Sequence, residues 1–379
     1  MRKVYADNAA TSFPKAPGVS DAMKDFLDNT GCNVNRGGYA DSYGVSMQIL
    51  ETRQLIADLF CTNDPREVIF TPSVTYSLNT LLCGLLGNGG HVITTSMEHN
   101  AVMRPLHALS KSGVVYDCAP CGADGSLDEN AIIPLIRRET KAVVMTYASN
   151  ICGTVMPVEA VSRICRERGI RLIVDAAQAA GVLDISAGGI DALAFTGHKG
   201  LLGPQGIGGF VVKRDFAAEI SPLVTGGTGS FSDKLEQPDI LPDKFESGTV
   251  NIPAILGLKK AVEYINSIGM KAIRDRETAL TAAFISKLSG IPGAKLIGKK
   301  DASGRVAVVS VDFTGRDNAD IAAALDSGYG IMTRCGLHCA PIAHQTLGTY
   351  PHGTVRFSFG YWNTADEIEY IIQAIREIL

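Results

Sequence analysis

Between residues 67 and 178, short apolar runs alternate with segments of helical periodicity, and no other feature restricts the fold so tightly. The runs are Val68-Ile69-Phe70, His91-Val92-Ile93-Thr94, Val114-Val115-Tyr116, Ala142-Val143-Val144-Met145 and Arg171-Leu172-Ile173-Val174. Helical spacing follows them up to Leu86, up to about Ser112, and over residues 131–138 and 158–168. Strands that alternate with helices of about 10–15 residues predict a mostly parallel sheet covered on both faces. Crossovers in such a sheet are right-handed, and sites lie outside the C-terminal ends of the strands.

Before this region, Val45, Ile49, Thr52, Ile56, Leu59 and Phe60 recur at helical spacing, and Val19, Met23, Phe26 and Leu27 mark a shorter helix. The alternation fades after Gly248. Residues 252–268 read as a long helix, continued by another to about Leu288, and Gly290-Ile291-Pro292-Gly293 breaks the chain. The rest reads as a smaller α+β unit: strand 306–313, helix 318–326, strands 331–333 and 355–359, helix 365–379. Thr364-Ala365-Asp366-Glu367 is a capping-box pattern for the last helix, whose Ile368, Ile371, Ile372, Ile375 and Leu379 form a buried stripe. A chain of 379 residues can bury two cores. The expected division is a large domain over 16–258 and a small one over 259–379, with segment 1–15 packing near the latter.

The net charge of −4 gives no reason to expect a nucleic acid or an anionic membrane as partner. No apolar run approaches the roughly 18 residues of a membrane span, and the chain reaches Asp7 without a signal-like stretch. Nine cysteines are scattered singly, unlike a disulfide framework, which points to a reducing cytoplasm. Cys118-Ala119-Pro120-Cys121 resembles a redox dithiol by spacing, but no helix starts there, so the pair reads as structural.

The run from Leu193 to Thr196 stops at Gly197-His198-Lys199, and Ile207 to Val212 form a second run. A lysine at the end of a buried strand is costly to desolvate unless its amine is used. Lysine forms Schiff bases with carbonyl compounds, pyridoxal phosphate among them, so Lys199 is the candidate carrier of that cofactor. Two further predicted strand ends, Met145 to Asn150 and Ile173 to Gln178, face the same crevice. Asp175 can place an anion under the ring nitrogen; as a residue after a strand it can equally cap a helix. Gln178 and Asn150 can reach the ring's phenolic edge. Thr71-Pro72-Ser73-Val74-Thr75, between a strand and a helix, offers N–H groups for a phosphate, with Thr196 and His198 across the crevice. His99, just past a strand end, can lie flat on the ring. Arg356, inside the apolar strand Val355–Ser358, requires an anion, either a substrate carboxylate or a structural partner. Arg334-Cys335-Gly336-Leu337-His338-Cys339 sets thiols beside an arginine and a histidine, which favour thiolate. No Cys/His pair of fitting spacing accompanies them, so no metal is expected.

These blocks, in this order, carry a resemblance. Tyr5-Ala6-Asp7-Asn8-Ala9-Ala10-Thr11, Ser149-Asn150 with Cys152-Gly153-Thr154, Val174-Asp175-Ala176-Ala177-Gln178, Gly197-His198-Lys199 with Gly203-Pro204, and Arg334, Gly336 and His338-Cys339-Ala340 are similar to class-V aminotransferase-fold enzymes. Within them the chain resembles cysteine desulfurases and selenocysteine lyases of group II, from residue 4 to the C-terminus. The resemblance implies fold-type I architecture and pyridoxal phosphate on Lys199, with Asp175 at the ring nitrogen, Gln178 at the phenolic oxygen and His99 stacked. It implies Val74, Thr75, Thr196 and His198 on the phosphate, Asn150 and Arg356 on the substrate carboxylate with Arg334 nearby, and Cys339 as sulfur acceptor. It further implies a homodimer whose phosphate cup is completed by Thr249 of the neighbouring subunit, and a sulfur-acceptor protein as a further partner. The expected reaction converts L-cysteine to L-alanine and leaves a persulfide on Cys339. Selenocysteine cleavage, a class-V transamination or other lyase reaction, and a non-catalytic scaffold are the alternatives. Departures from the family pattern are Ser73, Tyr76, Leu337 with Cys335, and Asn35 beside Arg36; all surround the substrate side.

Overall fold

The apolar runs become the strands of one sheet. The computed structural model describes residues 2–34 and 37–379, so Asn35 and Arg36 lie outside the described residues. After β1 (Val4–Tyr5) come β2 (Val68–Thr71), β3 (Gly90–Thr95), β4 (Val114–Ala119), β5 (Thr140–Thr146), β6 (Arg171–Asp175), β7 (Ala192–Thr196) and β8 (Gly208–Val212). β2 to β8 pair in the order β2-β8-β7-β6-β5-β3-β4. β8 runs antiparallel to β2 and β7, and the other neighbours are parallel. The turn between β7 and β8 holds no crossover helix, so the chain can only return antiparallel.

Side chains alternate between the two faces. Phe70, Val143, Val174 and Phe195 join a core with Val45, Ile56, Ile255 and Leu258 from helices Ala40–Leu59 and Ile252–Ile268. Their neighbours Ile69, Val144, Ile173 and Ala194 join another with Leu78, Leu82 and Leu106, from helices Val74–Leu86 and Asn100–Ser110. Covered on both sides, β2, β7 and β8 are buried along their whole length.

The remaining strands are β9 (Ala294–Ile297), β10 (Val308–Phe313), β11 (Ile331–Met332), β12 (Arg334–Gly336) and β13 (Thr354–Ser358). A second sheet runs β12-β13-β10-β9, while β1 pairs in parallel with β11. Val4 and Ala6 lie in one core with Phe284, Val309, Phe357 and Ile371. Three of the details that differ from the sequence reading have a plain local origin. Residues 129–135 form a 3-10 helix, because Pro134 has no N–H for an α-helical ladder. The expected strand 331–333 ends at Met332, and an unexpected strand, Arg334–Gly336, follows after Thr333 and joins a different sheet. β9 had no signal beyond the Gly-Pro break before it, being short and half-exposed.

The capping box forms: Thr364 Oγ1 accepts from Glu367 N at 3.2 Å, and Glu367 Oε2 accepts from Thr364 N at 3.0 Å. Thr364→Ala is expected to cost about 1 kcal/mol in urea denaturation, and Thr364→Ser only a few tenths.

Candidate active site

Thr146 of β5 is the register partner of Asp175 at the tip of β6, and β7 ends alongside at Thr196. The three predicted strand tips therefore share one edge. Asp175 is buried, its Oδ1 accepting from Ala177 N at 2.9 Å. Burial raises its pKa, and that N–H and Lys199 pull it back. Lys199 follows in the turn after β7. Burial pushes its amine down to about 8, against the pull of Asp175. Much of it is thus neutral in mildly alkaline solution.

The lysine turn is clamped from two sides. The His198 carbonyl accepts from Ser12 N at 2.9 Å, Thr11 Oγ1 at 3.0 Å and Lys15 Nζ at 2.9 Å. Gly181, at φ +83°, passes so close that a Cβ would lie 2.3 Å from the Gly200 oxygen.

Ser73 caps the helix that begins at Val74, accepting from Tyr76 N at 3.3 Å. As the first helical residues, Val74 and Thr75 present N–H groups without intrahelical partners at the positive end of the helix dipole. Gly208 faces them; a Cβ there would lie 2.7 Å from the Phe195 oxygen and 3.3 Å from Ser73 C. Thr196 Oγ1 and His198 Nδ1 are buried without a partner. Burial, with Lys199 and Lys15, pushes His198 down to about 4, so it is neutral. Orphaned buried polar atoms are costly, and ligand oxygens at this helix start would satisfy both. With Asp175 and Lys199 alongside, the residues present fit pyridoxal phosphate. Thr249 is exposed. Its segment is anchored by Glu246, buried against Arg53 (Oε2–Nη2 2.5 Å) and accepting from Phe70 N at 2.6 Å.

His99 caps helix Asn100–Ser110, its Nδ1 accepting from Ala101 N at 3.0 Å. Its proton therefore sits on Nε2. Burial, with Lys199, Arg356 and Arg104, pushes the ring down to about 4. Glu98 beside it escaped the sequence reading. Its buried Oε1 accepts from Thr95 Oγ1 at 2.5 Å and Thr146 N at 3.0 Å, and burial pushes the carboxyl up to about 8.

On the substrate side, Asn150 Nδ2 donates to the His338 carbonyl at 2.8 Å, and Arg356 Nη1 donates to the Asn150 carbonyl at 3.0 Å. The Cys339 carbonyl accepts from Asn100 N at 2.7 Å. This joins the cysteine loop to the residues after His99. His338 and Cys339 both adopt left-handed φ, +47° and +59°, and Cys339 is exposed. Gln178 Nε2 donates to the Ala9 carbonyl at 3.0 Å. The anion that Arg356 needs is Asp7, 3.0 Å away and also 3.0 Å from Arg334. Sequence reasoning did not single out Asp7; the Tyr5–Thr11 block was its only trace. Cys118 and Cys121 are free thiols whose pKa values burial raises, Cys118 to about 12. Among the described residues no group of three His, Cys, Asp or Glu is placed to hold a metal. No described helix is long and apolar enough to cross a membrane.

Comparison with known proteins agrees with this geometry. A probable cysteine desulfurase of Methanothermobacter thermautotrophicus is 33% identical over 382 residues, covering 99% of this chain and 94% of the relative. One of Halobacterium salinarum is 35% identical over 385 residues, covering 99% and 91%. The apo structure of a cysteine desulfurase from Thermococcus onnurineus superposes with a TM-score of 0.93 at 30% identity, covering 99% of this chain and 94% of that one. The sequence pattern of the family described as Aminotransferase class-V matches residues 4–371. Strand tips, lysine turn and helix start thus lie in a chain that belongs, over nearly its whole length, to the pyridoxal phosphate-dependent class-V aminotransferase family.

Proposed function

We propose that the protein is a pyridoxal phosphate-dependent cysteine desulfurase that converts L-cysteine to L-alanine and carries the sulfur as a persulfide on Cys339. The observation that carries this reading is the Cys339 loop. It bonds through its backbone to Asn100 and Asn150 and lies within electrostatic reach of Arg334 and Arg356, the same two arginines that act on Lys199. Pyridoxal phosphate bound there supplies an electron sink for charge developing at the substrate Cα. Val74, Thr75, Thr196 and His198 would hold its phosphate, Asp175 its ring nitrogen, Gln178 its phenolic oxygen and His99 its face. Thr249 of a second copy would complete the cup in a homodimer.

Arg356 and Asn150 would orient the substrate carboxylate. The neutral amine of Lys199 removes the Cα proton. The Cys339 thiolate then attacks the substrate sulfur: an S–S bond forms, the Cβ–S bond breaks, and its electron pair stays on the carbon side. Two proton transfers, to Cβ and Cα, complete L-alanine, and Lys199 can return its proton. The exposed persulfide suits hand-over to an acceptor protein in the cytoplasm. In this reading the cofactor belongs to a large domain, 16–258, while 259–379 brings Cys339 and Arg356.

Cys339→Ala is expected to lower alanine release from L-cysteine by at least about 100-fold while the cofactor's absorbance stays. Full alanine release from that variant would remove Cys339 from the mechanism.

A further inference from the structure

Three charges meet where the N-terminal segment crosses the second sheet. Arg334 in β12 and Arg356 in β13 are register partners. Like charges directly opposite on neighbouring strands repel. Asp7 lies between them, brought there by its bridge to Ser358, with Oδ2 3.0 Å from Arg334 Nη2 and Oδ1 3.0 Å from Arg356 Nη2. Asp7 and Arg356 are buried, whereas the Arg334 side chain is half-exposed. Two guanidiniums and one carboxylate leave one positive unit.

The donors of Arg356 are divided in a telling way. Nη2 donates to Asp7 and Nη1 to the Asn150 carbonyl, while Nε is buried without a partner. The imidazoles close by add no charge, since burial holds His338 down at about 2 and His99 at about 4, with Arg356 lowering both. Lys199 is in electrostatic reach of Asp7 and Arg356, but it acts on every amino acid that enters.

We infer that Asp7 is a specificity-determining residue: it fixes the Arg334–Arg356 cluster at one positive unit, which matches amino acids with a single carboxylate and disfavours those with two. One carboxylate neutralises the cluster. A second acidic group would meet an arginine already paired and a buried carboxylate of its own sign, a repulsive element that rejects as effectively as a new contact selects. The inference rests on the proposed placement of the substrate carboxylate at Arg356.

Calorimetric titration of the holoenzyme with L-alanine and with L-aspartate tests it, because the ratio of the two Kd values cancels what both ligands share. In Asp7→Asn the cluster carries two positive units, and Kd(aspartate)/Kd(alanine) is expected to fall at least about tenfold, equivalent to about 1.4 kcal/mol. Adding Arg334→Gln restores one unit, and the double variant is expected to return to within about threefold of the wild-type ratio. A ratio unmoved by Asp7→Asn, or a double variant that stays at the single-variant value, overturns the inference. Should Asp7→Asn fail to fold, Arg334→Gln alone decides: the ratio rises if charge is what counts, and an unchanged ratio rejects the idea. Arg356→Gln checks the premise separately, since it should weaken both ligands together. If it leaves both untouched, the carboxylate placement is wrong whatever the ratios do.

Discussion

Lys199→Ala is expected to lower alanine release from L-cysteine by about four orders of magnitude or more, because in the proposed mechanism Lys199 is both the covalent anchor and the proton acceptor. The surroundings explain why nothing nearby can substitute. His99 and His198 are held neutral by burial, but His99 already uses Nδ1 on Ala101 N, and His198 is assigned to the proposed phosphate cup. Asp175 lies at the tip of β6 with its Oδ1 engaged by Ala177 N. Lys199→Arg should be equally inactive, since a guanidinium stays protonated where the lysine amine is pushed down to about 8. Both variants should still bind pyridoxal phosphate, because the cup around Thr196 and the helix start is untouched, but without the Schiff-base absorbance. Either variant turning over within tenfold of wild type would show that the proton is taken elsewhere.

What was legible from sequence has a common physical character. Lys199, Asp175, Thr196 and Asn150 stand at the ends of strands whose apolar runs are unmistakable, and parallel topology obliges such ends to meet. The residues that escaped notice take their meaning from partners far along the chain. Asp7 pairs with Arg356 across 349 positions, and Lys15 reaches the His198 carbonyl across 183. Glu246 finds Arg53 across 193. No periodicity encodes such pairs, and each residue alone reads as ordinary surface charge. Glu98 is a different case. It sits next to His99, and its buried acid is held by the nearby Thr95 hydroxyl together with the backbone of β5, which arrives from far along the chain. Sequence also gives Asn150 and Gln178 as ligand donors. In the folded chain their amides also hold the His338 and Ala9 carbonyls, which commits one of each amide's two N–H donors to the backbone.

A large fall in stability with rising pH is expected from Glu277, a residue that the chemistry does not use. It stands on helix Met270–Leu288, only 8% exposed, and lines a cavity of about 40 Å³ with Lys199, Gln178 and Trp362. Burial alone pushes its carboxyl from 4.5 up to about 8. Between those values the folded chain holds a proton that the unfolded chain has lost. Stability from this group is therefore full below about pH 4.5, declines as pH rises, and is gone above about pH 8. The shift corresponds to roughly 3–5 kcal/mol over that window. Glu277→Gln keeps the shape of the protonated acid and cannot ionise. Its stability relative to wild type, read from urea denaturation of the holoenzyme, should therefore climb between pH 5 and pH 9. Glu98, also raised to about 8, gives a decline of the same sign that both proteins share, so it cancels in the difference. A difference that stays flat across this range would mean that Glu277 is ionised in the fold. Its carboxylate would then need a cation, and Lys199, lining the same cavity, can be examined by repeating the titration in Lys199→Ala.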